Sequence, residues 1–297
     1  MLDCVVLVSP EQYRIAYAIN PLTNKTSQID SERARAQYNR LVERFIKYQI
    51  PVYQITASAL NSENRFPDMV FASNSALFLR GWPIHTAIIS RYAKKERRGE
   101  EDLIERFLES QGIKNIHTLP EKEGCYFEGQ GDCRWSHDGK HLWMAYGVGR
   151  STLSGIRAVE EIILKEAAAL GWMPPTIHRL HIVEPTTYHM DLCLLPLPNG
   201  RCLYHNTSFD RASQQEIEKV FGKQNCIHVP LRFLYSCNSV VVNENVLFAP
   251  KLAYPDCRAW MRKHTGMHVE HINVSEFELA GGSVSCLVLP IWISVAT

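Results

Sequence analysis

Apolar and polar residues follow a helical period over residues 31–47. The apolar side chains of this segment recur every three or four residues, which places them on one face of an α-helix. That inward face comprises Ala34, Tyr38, Leu41, Val42 and Phe45. Short apolar runs at 4–8 and 52–56 have the length of buried strands. The beginning of the chain therefore predicts the order strand, helix, strand.

The same order of elements recurs along the rest of the chain. The predicted helices lie at 100–111, 151–170, 213–221 and 256–264. The predicted strands lie at 69–79, 84–89, 115–119, 142–145, 177–183, 192–195, 202–204, 226–229, 240–242, 246–248, 269–272 and, closing the chain, 284–289. Units that recur about every 60 residues predict either a cyclic array of small sheets or one mixed α/β sheet. No Pro-, Gly- or Ser-rich linker divides them, so residues 1–297 are expected to form a single domain.

The composition is that of a globular protein without a dominant charge. The chain has 297 residues, 45% of them hydrophobic and 21% charged, and its 32 basic and 31 acidic side chains leave a formal charge of +1. This balance gives no general attraction to nucleic acid or to an anionic membrane, and we expect neither as a partner. The densest charge run, residues 94–102, alternates in sign and predicts a solvated loop that leads into a helix.

The chain ends and the cysteines favour a cytoplasmic protein. Asp3 stands where a secretory signal carries Lys or Arg, and the apolar run that follows is too short for such a signal. The apolar stretch 287–296 contains Pro290 and is too short for a membrane span, so it predicts a buried strand followed by a tail. The nine cysteines include no C-x-x-C pair, which argues against a disulfide framework or a tetrathiolate zinc site. Reduced thiols are therefore expected.

Four polar segments lie beside predicted strand ends, where α/β folds commonly carry catalytic groups. They are residues 67–74, 127–132, 188–191 and 280–286. In the second segment, glycines separate Glu128 from Asp132, and this pair of carboxylates suits a cationic ligand. A glycine-rich hairpin turn is the structural alternative. A P-loop is excluded because the segment does not end in Lys-Ser or Lys-Thr.

The third and fourth segments contain a histidine and a cysteine that are able to share a site. His189 and Asp191 are two residues apart, so an extended backbone would turn both side chains to one face. Cys286 follows Gly281 and Gly282, and it would act as a nucleophile only if a nearby positive charge lowered its pKa. A loop histidine and an inert buried cysteine are the alternatives.

Two further patterns carry less weight. Two sets of residues have spacings that a metal ion would accept, but both cross predicted element boundaries, so no metal is expected. They are His264, His268 and His271, and Cys133, His137 and His141. In the glycine-rich segment 146–151, Ser151 is interpreted as a helix cap and Arg150 as a candidate fork for a carboxylate.

A set of short motifs spans nearly the whole chain in a fixed order. They are Ile19-Asn20-Pro21, Phe71-x-x-Asn74, Phe127-Glu128-Gly129-x-Gly131-Asp132, Gly147-x-x-Arg150-Ser151, His189-x-Asp191, Asn273-Val274-Ser275-Glu276-Phe277 and Gly281-Gly282-Ser283-Val284-x-Cys286. Together they resemble the guanidine-modifying (pentein) superfamily, and most closely its arginine dihydrolase and dimethylarginine dimethylaminohydrolase-like branch. The resemblance implies an α/β fold, a five-bladed propeller with pseudo-fivefold symmetry, and a central active site.

The resemblance also implies a chemistry. In this superfamily a cysteine attacks the guanidinium carbon, a histidine moves protons and acidic residues hold the cation, without a metal or an organic cofactor. The implied nucleophile is Cys286 and the implied general acid and base is His189. Glu128 and Asp191 are the implied guanidinium anchors. The substrate is then a small molecule, arginine or a methylated arginine.

Two asparagines favour one member of this branch. Arginine deiminases are similar but have Asp at the position of Asn74, whereas arginine dihydrolases have Asn there and a second Asn resembling Asn20. We therefore expect arginine and two waters to give ornithine, carbon dioxide and two ammonia. The expected substrate-binding residues are Asn20, Asn74, Asp132 and Arg150. The alternatives are dimethylarginine hydrolysis, arginine deimination, amidino transfer and a catalytically inactive binding protein, and the sequence leaves a homo-oligomer open.

Overall fold

The structure, a computed structural model, describes residues 2–252 and 254–292. Its strands are β1 Cys4–Val8, β2 Val52–Ile55, β3 Ala76–Phe78, β4 Thr86–Ile89, β5 Asn115–His117, β6 Cys133–Trp135, β7 His141–Gly147, β8 Thr176–Ile182, β9 Leu194–Pro196, β10 Cys202–Tyr204, β11 Cys226–His228, β12 Val240–Val241, β13 Val246–Pro250, β14 His268–Ile272 and β15 Leu289–Ile291. Its helices are α1 Ser31–Lys47, α2 Ala57–Leu60, α3 Glu100–Ser110, α4 Leu153–Leu170, α5 Met190–Cys193, α6 Arg211–Phe221, α7 Pro255–Thr265 and α8 Ser275–Glu278.

These strands form five small sheets with one repeated topology. The strand orders are β15-β1-β2, β3-β4-β5, β6-β7-β8, β9-β10-β11 and β12-β13-β14. In each sheet the middle strand pairs antiparallel with one neighbour and parallel with the other. A long helix supplies the crossover that each parallel pair requires: α1, α3, α4, α6 and α7. This arrangement confirms the five-bladed α/β propeller with pseudo-fivefold symmetry.

The ring is closed by strands from the two ends of the described chain. β15 pairs antiparallel with β1, so that Cys4 lies opposite Ile291. β1 in turn pairs in parallel with β2 across the long helix α1. One sheet therefore contains both the first and the last strand, and the other four sheets follow one another along the chain.

The sequence specifies α1 through its cap and its apolar face. The side chain of Asp30 accepts the N–H of Arg33 at 2.9 Å and so satisfies one free donor of the first helical turn. All five predicted inward residues are buried, and they pack in one cluster with residues of β1, including Val5 and Leu7. The predicted helix at 31–47 coincides with the observed one.

Five strands begin their sheets in the same way. We call β3, β6, β9, β12 and β15 the inner strands, because β6 contacts β9 and β15 contacts β3 across sheet boundaries. Each inner strand follows a short turn. These turns are Ala72–Ser75, Gly129–Asp132, Met190–Cys193, Leu231–Cys237 and, before β15, residues 284–287. Because the five sheets repeat one topology around the ring, the five turns meet at one of its ends.

Three predicted strands are wrong at these turns. The apolar run at 69–79 contains the 3-10 turns Pro67–Val70 and Ala72–Ser75 before β3 begins. The run at 192–195 begins inside the one-turn helix Met190–Cys193. The run at 284–289 is a turn, and its strand starts only at Leu289. These turns contain polar residues such as Ser73, Asn74 and Ser285, but they are buried at the centre of the ring beside apolar residues, so hydrophobic patterning does not separate turn from strand. β6 has no counterpart among the predicted strands.

Among residues 2–252 and 254–292, no helix is both long and apolar enough to cross a membrane. All nine cysteines are buried and none is paired in a disulfide. Of the predicted tail that follows the closing strand, residues 293–297, which include Ala296, lie outside the described residues.

Candidate active site

The five turns bring polar side chains from distant parts of the chain to one end of the ring. Their residues and immediate neighbours include Asn74, Glu128, His189, Asp191, Asn238 and Cys286, all of them buried. These side chains form two hydrogen-bonded groups, one around the thiol and one around the imidazole. Cys286, His189 and Asn74 line a common cavity, which makes this end of the ring the candidate active site.

Cys286 is held by hydrogen bonds from two other blades. Its thiol donates to Oδ2 of Asp191 at 3.2 Å and accepts from Nδ2 of Asn238 at 3.1 Å. Oδ1 of Asn238 accepts the backbone N–H of Ser285 at 2.9 Å and that of Cys286 at 3.3 Å. The asparagine thus fixes both the side chain and the backbone of the candidate nucleophile.

The free thiol of Cys286 resists ionisation. Burial and the neighbouring Asp191 raise its pKa well above 9.0, and the hydrogen bond from Asn238 opposes them only in part. The thiol is therefore protonated at neutral pH in the unliganded protein. A thiolate needs a positive charge beside the sulfur, which is the condition for a reactive cysteine that the sequence stated.

His189 belongs to a second group, with Glu128 and Arg150. Its Nε2 lies 2.8 Å from Oε2 of Glu128, and the same oxygen accepts from Nη1 of Arg150 at 3.0 Å. Burial opposes ionisation of Glu128, but Arg150 and His189 outweigh it and lower the pKa of the carboxyl to about 2. Because an ionised carboxylate only accepts, Nε2 of His189 carries a proton and Nδ1 faces the cavity side.

The second oxygen of the Glu128 carboxylate lacks a hydrogen-bond donor among the described residues. Oε1 of Glu128 is buried and has no hydrogen-bond partner in the described part of the chain. A buried carboxylate oxygen without a donor is costly, and a donor supplied by a ligand would remove that cost. Oδ1 of Asp191 is in the same condition, beside the thiol of Cys286.

The predicted geometry of His189 and Asp191 is wrong, although both residues reach the site. His189 is extended, but Asp191 lies in the one-turn helix Met190–Cys193. The two side chains therefore reach different partners, Glu128 in one case and Cys286 in the other. Within the part of the chain that the structure describes, no direct hydrogen bond joins the thiol of Cys286 to His189.

Asn74 is oriented by a buried arginine. Nη1 of Arg97 donates to Oδ1 of Asn74 at 3.2 Å, and a guanidinium can only donate, so this atom is the amide oxygen. The amide NH₂ then lies 3.5 Å from Nδ1 of His189. A Cβ at Gly131 would stand only 2.1 Å from this NH₂, which explains the need for glycine there. Asn74 thus presents a donor to the cavity side of the imidazole.

The cavity is small and opens towards a wider one. It has a volume of about 20 Å³, and its lining includes Asn20, Asp68, Asn74, Arg97, Arg150, Tyr188, His189 and Cys286. The wider opening, of about 640 Å³, shares Ile19, Asn20, Arg150 and Tyr188 with it. Nδ2 of Asn20 donates to the carbonyl of Ala280 at 2.9 Å and so positions the glycine segment before Cys286.

The predicted site residues thus lie at different distances from the cavity. Asn20, Asn74, Arg150, His189 and Cys286 line the cavity, while Glu128 and Asp191 lie directly behind it and contact the lining residues. Arg150, the candidate carboxylate fork, is bound to a carboxylate of the protein and lies 5.0 Å from the ring centre of Tyr188.

Asp132 does not reach the cavity, contrary to its expected role in binding substrate. Its Oδ2 accepts from the hydroxyl of Ser151 at 2.6 Å and its Oδ1 from the backbone N–H of Met190 at 3.2 Å. These two hydrogen bonds make Asp132 a structural brace between blades. Burial raises its pKa to about 6. The interpretation of Ser151 as a helix cap is also wrong, because Thr152 caps α4 by accepting the N–H of Gly155 at 3.2 Å.

The charged run at 94–102 leads into α3 as predicted, but it is only partly solvated. Arg97 and Glu100 are 3% and 1% exposed and form an ion pair of 2.6 Å, where a solvated loop was expected. Arg97 also donates to the carbonyl of Asp68 at 3.2 Å. The alternating charges of this run include the buried ion pair of Arg97 and Glu100, and Arg97 positions Asn74. Charge pattern alone does not distinguish a buried ion pair from a solvated loop.

Besides Arg97, the residues Asp68 and Asn238 line or support the site and have no counterpart in the sequence prediction. Asp68 lines the cavity, and burial raises its pKa against the opposing effect of Arg97 and Arg150. A carboxylate six residues before Asn74, in a segment already selected, was the available signal. No sequence pattern marks Asn238 as a site residue, since a single Asn after an apolar run is common.

In the described part of the chain, no group of three or more His, Cys, Asp and Glu side chains is arranged to hold a metal ion. The two histidine-containing sets with metal-like spacing do not converge. His141 instead lies 2.9 Å from His178, which contacts Glu216 at 2.8 Å.

Comparison with known proteins gives a consistent family. The family model described as N,N-dimethylarginine dimethylhydrolase, eukaryotic, matches residues 13–293. The bifunctional arginine dihydrolase/ornithine cyclodeaminase ArgZ of Synechocystis is 27% identical over 288 residues, which are 96% of this chain and 37% of that protein. The chain therefore spans little more than a third of this relative. The N(G),N(G)-dimethylarginine dimethylaminohydrolase of Mycobacterium tuberculosis is 27% identical over 286 residues, 96% of this chain and 84% of the relative.

A solved structure supports the same similarity. The N-terminal domain of ArgZ, a cyanobacterial arginine dihydrolase, has been solved as a cysteine-to-serine variant bound to its substrate. It superposes with a TM-score of 0.81 and 27% sequence identity, and the match covers 98% of both chains.

Proposed function

Because the chain belongs to the N,N-dimethylarginine dimethylhydrolase family, we propose that it hydrolyses the guanidinium group of arginine to ornithine, carbon dioxide and two ammonia. We further propose that residues 1–297 form one catalytic domain. The observation that carries the proposal is the amide of Asn74, whose NH₂ faces the catalytic imidazole while Arg97 fixes its oxygen. The alternatives within the family are separated by the products, as described below.

Substrate entry begins with an exchange of guanidinium groups. In the unliganded protein, Arg150 occupies Oε2 of Glu128, and the cavity of about 20 Å³ is too small for a guanidinium. The guanidinium of the substrate takes the place of Arg150 and donates to Glu128 and to Asp191, whose second oxygens lack donors. Arg150 is then free to bind the substrate carboxylate, and the carboxyl of Asp68 is placed for its ammonium group.

The bound cation activates the nucleophile. A positive charge beside Cys286 offsets the effects of burial and Asp191 that keep the thiol protonated. The thiol transfers its proton to Nδ1 of His189, and the thiolate attacks the guanidinium carbon and forms a C–S bond. His189 donates a proton to the leaving nitrogen, the C–N bond breaks and ammonia leaves. The product of this step is an amidino-thioether on Cys286.

Water completes the first hydrolysis. His189, now without that proton, takes one from water, and the resulting hydroxide attacks the thioether carbon. The C–S bond breaks, the thiol is restored and a ureido group remains. This group has an oxygen that accepts hydrogen bonds, so the NH₂ of Asn74 can retain it, whereas a carboxylate at this position could not donate.

A second round on the retained ureido carbon releases the second ammonia. Attack by Cys286 and hydrolysis of the resulting thioester-like intermediate leave a carbamate, which loses carbon dioxide to give ornithine. Two waters are consumed and two ammonia released per arginine, so atoms and charge balance. The protein supplies the thiol, the imidazole and the carboxylates for every step.

Hydrolysis of dimethylarginine is the second candidate. The family model and the mycobacterial relative carry this activity in their names. The same cysteine chemistry would release dimethylamine and leave citrulline. The NH₂ of Asn74 beside the imidazole of His189 favours the unmethylated substrate, since two methyl groups need additional space beside the leaving nitrogen.

A product assay tests the proposal. Purified protein incubated with arginine is expected to give ornithine and ammonia in a one-to-two ratio. Equimolar citrulline and ammonia would contradict it, and dimethylamine released from dimethylarginine without turnover of arginine would select the second candidate. A Cys286→Ser variant is the control: it should remain folded and inactive, because a hydroxyl is a much weaker nucleophile here. A catalytically inactive binding protein would give no product and no selective labelling of Cys286 by a haloacetamidine.

A further inference from the structure

A second cavity lies along the axis of the ring and shares no lining residue with the candidate active site. It has a volume of about 70 Å³, well above the roughly 10–15 Å³ that one water requires. The inner strands line it with residues at their carboxyl ends, such as Trp135 of β6 and Pro196 of β9, and the turns that precede inner strands contribute Gln130 and Ser285. The axial cavity therefore extends along the inner strands, from the turns that carry the candidate catalytic side chains towards the carboxyl ends of these strands.

The charged side chains that line the axial cavity are positive. Arg80 and Arg134 belong to its lining, and none of the described lining residues is Asp or Glu. His137 also lines the cavity, but burial and Arg80 lower its pKa below the ordinary value, so it is neutral at neutral pH. Asp3 and Asp138 act on Arg80 from nearby and Glu244 lies 3.7 Å from His137, but none of the three lines the cavity. An occupant therefore meets cationic donors without facing a carboxylate, which favours an anion.

Arg134 provides a donor that the protein does not use. The residue is only 7% exposed. Its Nε donates to the carbonyl of Leu194 at 3.1 Å, and its Nη2 donates to the hydroxyl of Ser285 at 3.0 Å and to two carbonyls. Nη1 has no hydrogen-bond partner among the described residues, and it remains accessible to solvent. A buried guanidinium with one accessible free donor is suited to bind a carboxylate.

The rest of the cavity is apolar. Val240, Val288, Leu195 and the ring of Trp292 belong to its lining, and the guanidinium of Arg80 lies 4.5 Å from the centre of that ring. An inorganic anion would leave this apolar surface without a partner, whereas a short hydrocarbon chain would cover it. We propose that the axial cavity binds a short-chain monocarboxylate, with its carboxylate on Arg134 and Ser285 and its chain against the apolar residues.

The position of Arg134 links this site to the nucleophile. Nη2 of Arg134 contacts the hydroxyl of Ser285, the residue before Cys286, and the carbonyl of Asp191. A carboxylate on Arg134 places a second negative charge behind the thiol that Asp191 already keeps protonated. The bound monocarboxylate therefore lowers the reactivity of Cys286.

The test uses 3,3,3-trifluoropropanoate and ¹⁹F NMR on the whole protein in carboxylate-free buffer. We expect saturable binding that persists in the Cys286→Ser variant with saturating arginine, and no binding of the neutral trifluoropropanamide. Arg134→Gln should weaken binding roughly tenfold or more. If that variant fails to fold, Arg80→Gln, a change at a partly buried residue, should still weaken binding severalfold. Arg232→Gln is the matched control: it removes another arginine stacked on an aromatic ring, at 4.7 Å from the centre of Phe233, and should change nothing.

Three results would overturn the proposal: no saturable binding, equal binding of the amide, or wild-type affinity in both cavity variants. Displacement of the probe by arginine would assign it to the substrate cavity and would also overturn it. Bound probe should also slow iodoacetamide labelling of Cys286, and an unchanged rate would refute the link to the nucleophile. The binding measurement does not depend on the proposed reaction, so a failure of either one is recognised separately.

Discussion

Replacement of Asp191 by asparagine should make Cys286 more reactive towards a neutral reagent while reducing turnover. Oδ2 of Asp191 lies 3.2 Å from the sulfur of Cys286. Two unit charges at this separation repel by about 5 kcal/mol at an effective dielectric constant of about 20. Part of this is offset because the carboxylate also stabilises the thiol by accepting its proton. A like charge in contact raises a pKa by about one to three units, and Asp191→Asn should lower the thiol pKa by that amount.

The assay is the rate of iodoacetamide incorporation at Cys286, followed by peptide mass spectrometry between pH 6 and 9. Because the wild-type thiol is protonated over this range, the thiolate fraction increases tenfold for each unit by which its pKa falls. The variant should therefore label about ten to a thousand times faster than the wild type at the same pH. Turnover of arginine should fall, since one guanidinium anchor has been lost.

The matched control is Asp256→Asn, which removes an exposed carboxylate beside another cysteine, Cys257. This change should leave the labelling of Cys286 at the wild-type rate. Slower labelling in Asp191→Asn would show that the carboxylate assists loss of the thiol proton, and an equal rate would show that it has no effect on the thiol. Either result would refute the electrostatic reasoning.

Three other substitutions test separate parts of the site. Asn74→Asp removes the NH₂ donor in nearly the same shape, so arginine should give citrulline and one ammonia; continued formation of ornithine, measured by chromatography, would exclude the role of the amide. Asn238→Ala leaves the N–H groups of Ser285 and Cys286 without their acceptor and should lower the free energy of urea unfolding by about 1–3 kcal/mol, together with the labelling rate of Cys286. The pKa of Glu128 is about 2 in the folded protein, below its ordinary value, so its stabilising effect of up to about 3 kcal/mol is present above about pH 4.5 and is lost as the pH falls towards 2. The difference in unfolding free energy between wild type and Glu128→Gln should therefore shrink on acidification, and a constant difference would contradict this.

The sequence predicted the long helices and the repeated architecture well because both follow from amphipathic periodicity. The face of α1 and its cap at Asp30 are local properties, and the predicted and observed bounds coincide. The turns before the inner strands were not predictable in this way. Residues 284–287 are buried at the centre of the ring and, apart from Ser285, are apolar, so they lack the run of polar positions that normally marks a turn.

Of the candidate site, the sequence identified the candidate reactive groups but not the residues that position them. Cys286, His189 and Asn74 were found from motifs, and they line the same cavity. Arg97 and Asn238 act through contacts with residues 23 and 48 positions away in the chain. Such contacts depend on how the blades close into a ring, and local patterns carry no record of them. Asp132 was misplaced for the same reason, because a carboxylate in a glycine-rich turn can face either the ligand or a neighbouring blade.

The central claim is that one cavity, with Cys286 as nucleophile, removes both nitrogens from the guanidinium carbon of arginine. Arginine carrying ¹³C at the guanidinium carbon, followed by ¹³C NMR during turnover, tests this directly. The account predicts that the label passes into carbon dioxide and bicarbonate without accumulation of free citrulline, while ornithine remains unlabelled. Label that collects in the ureido carbon of citrulline would contradict it.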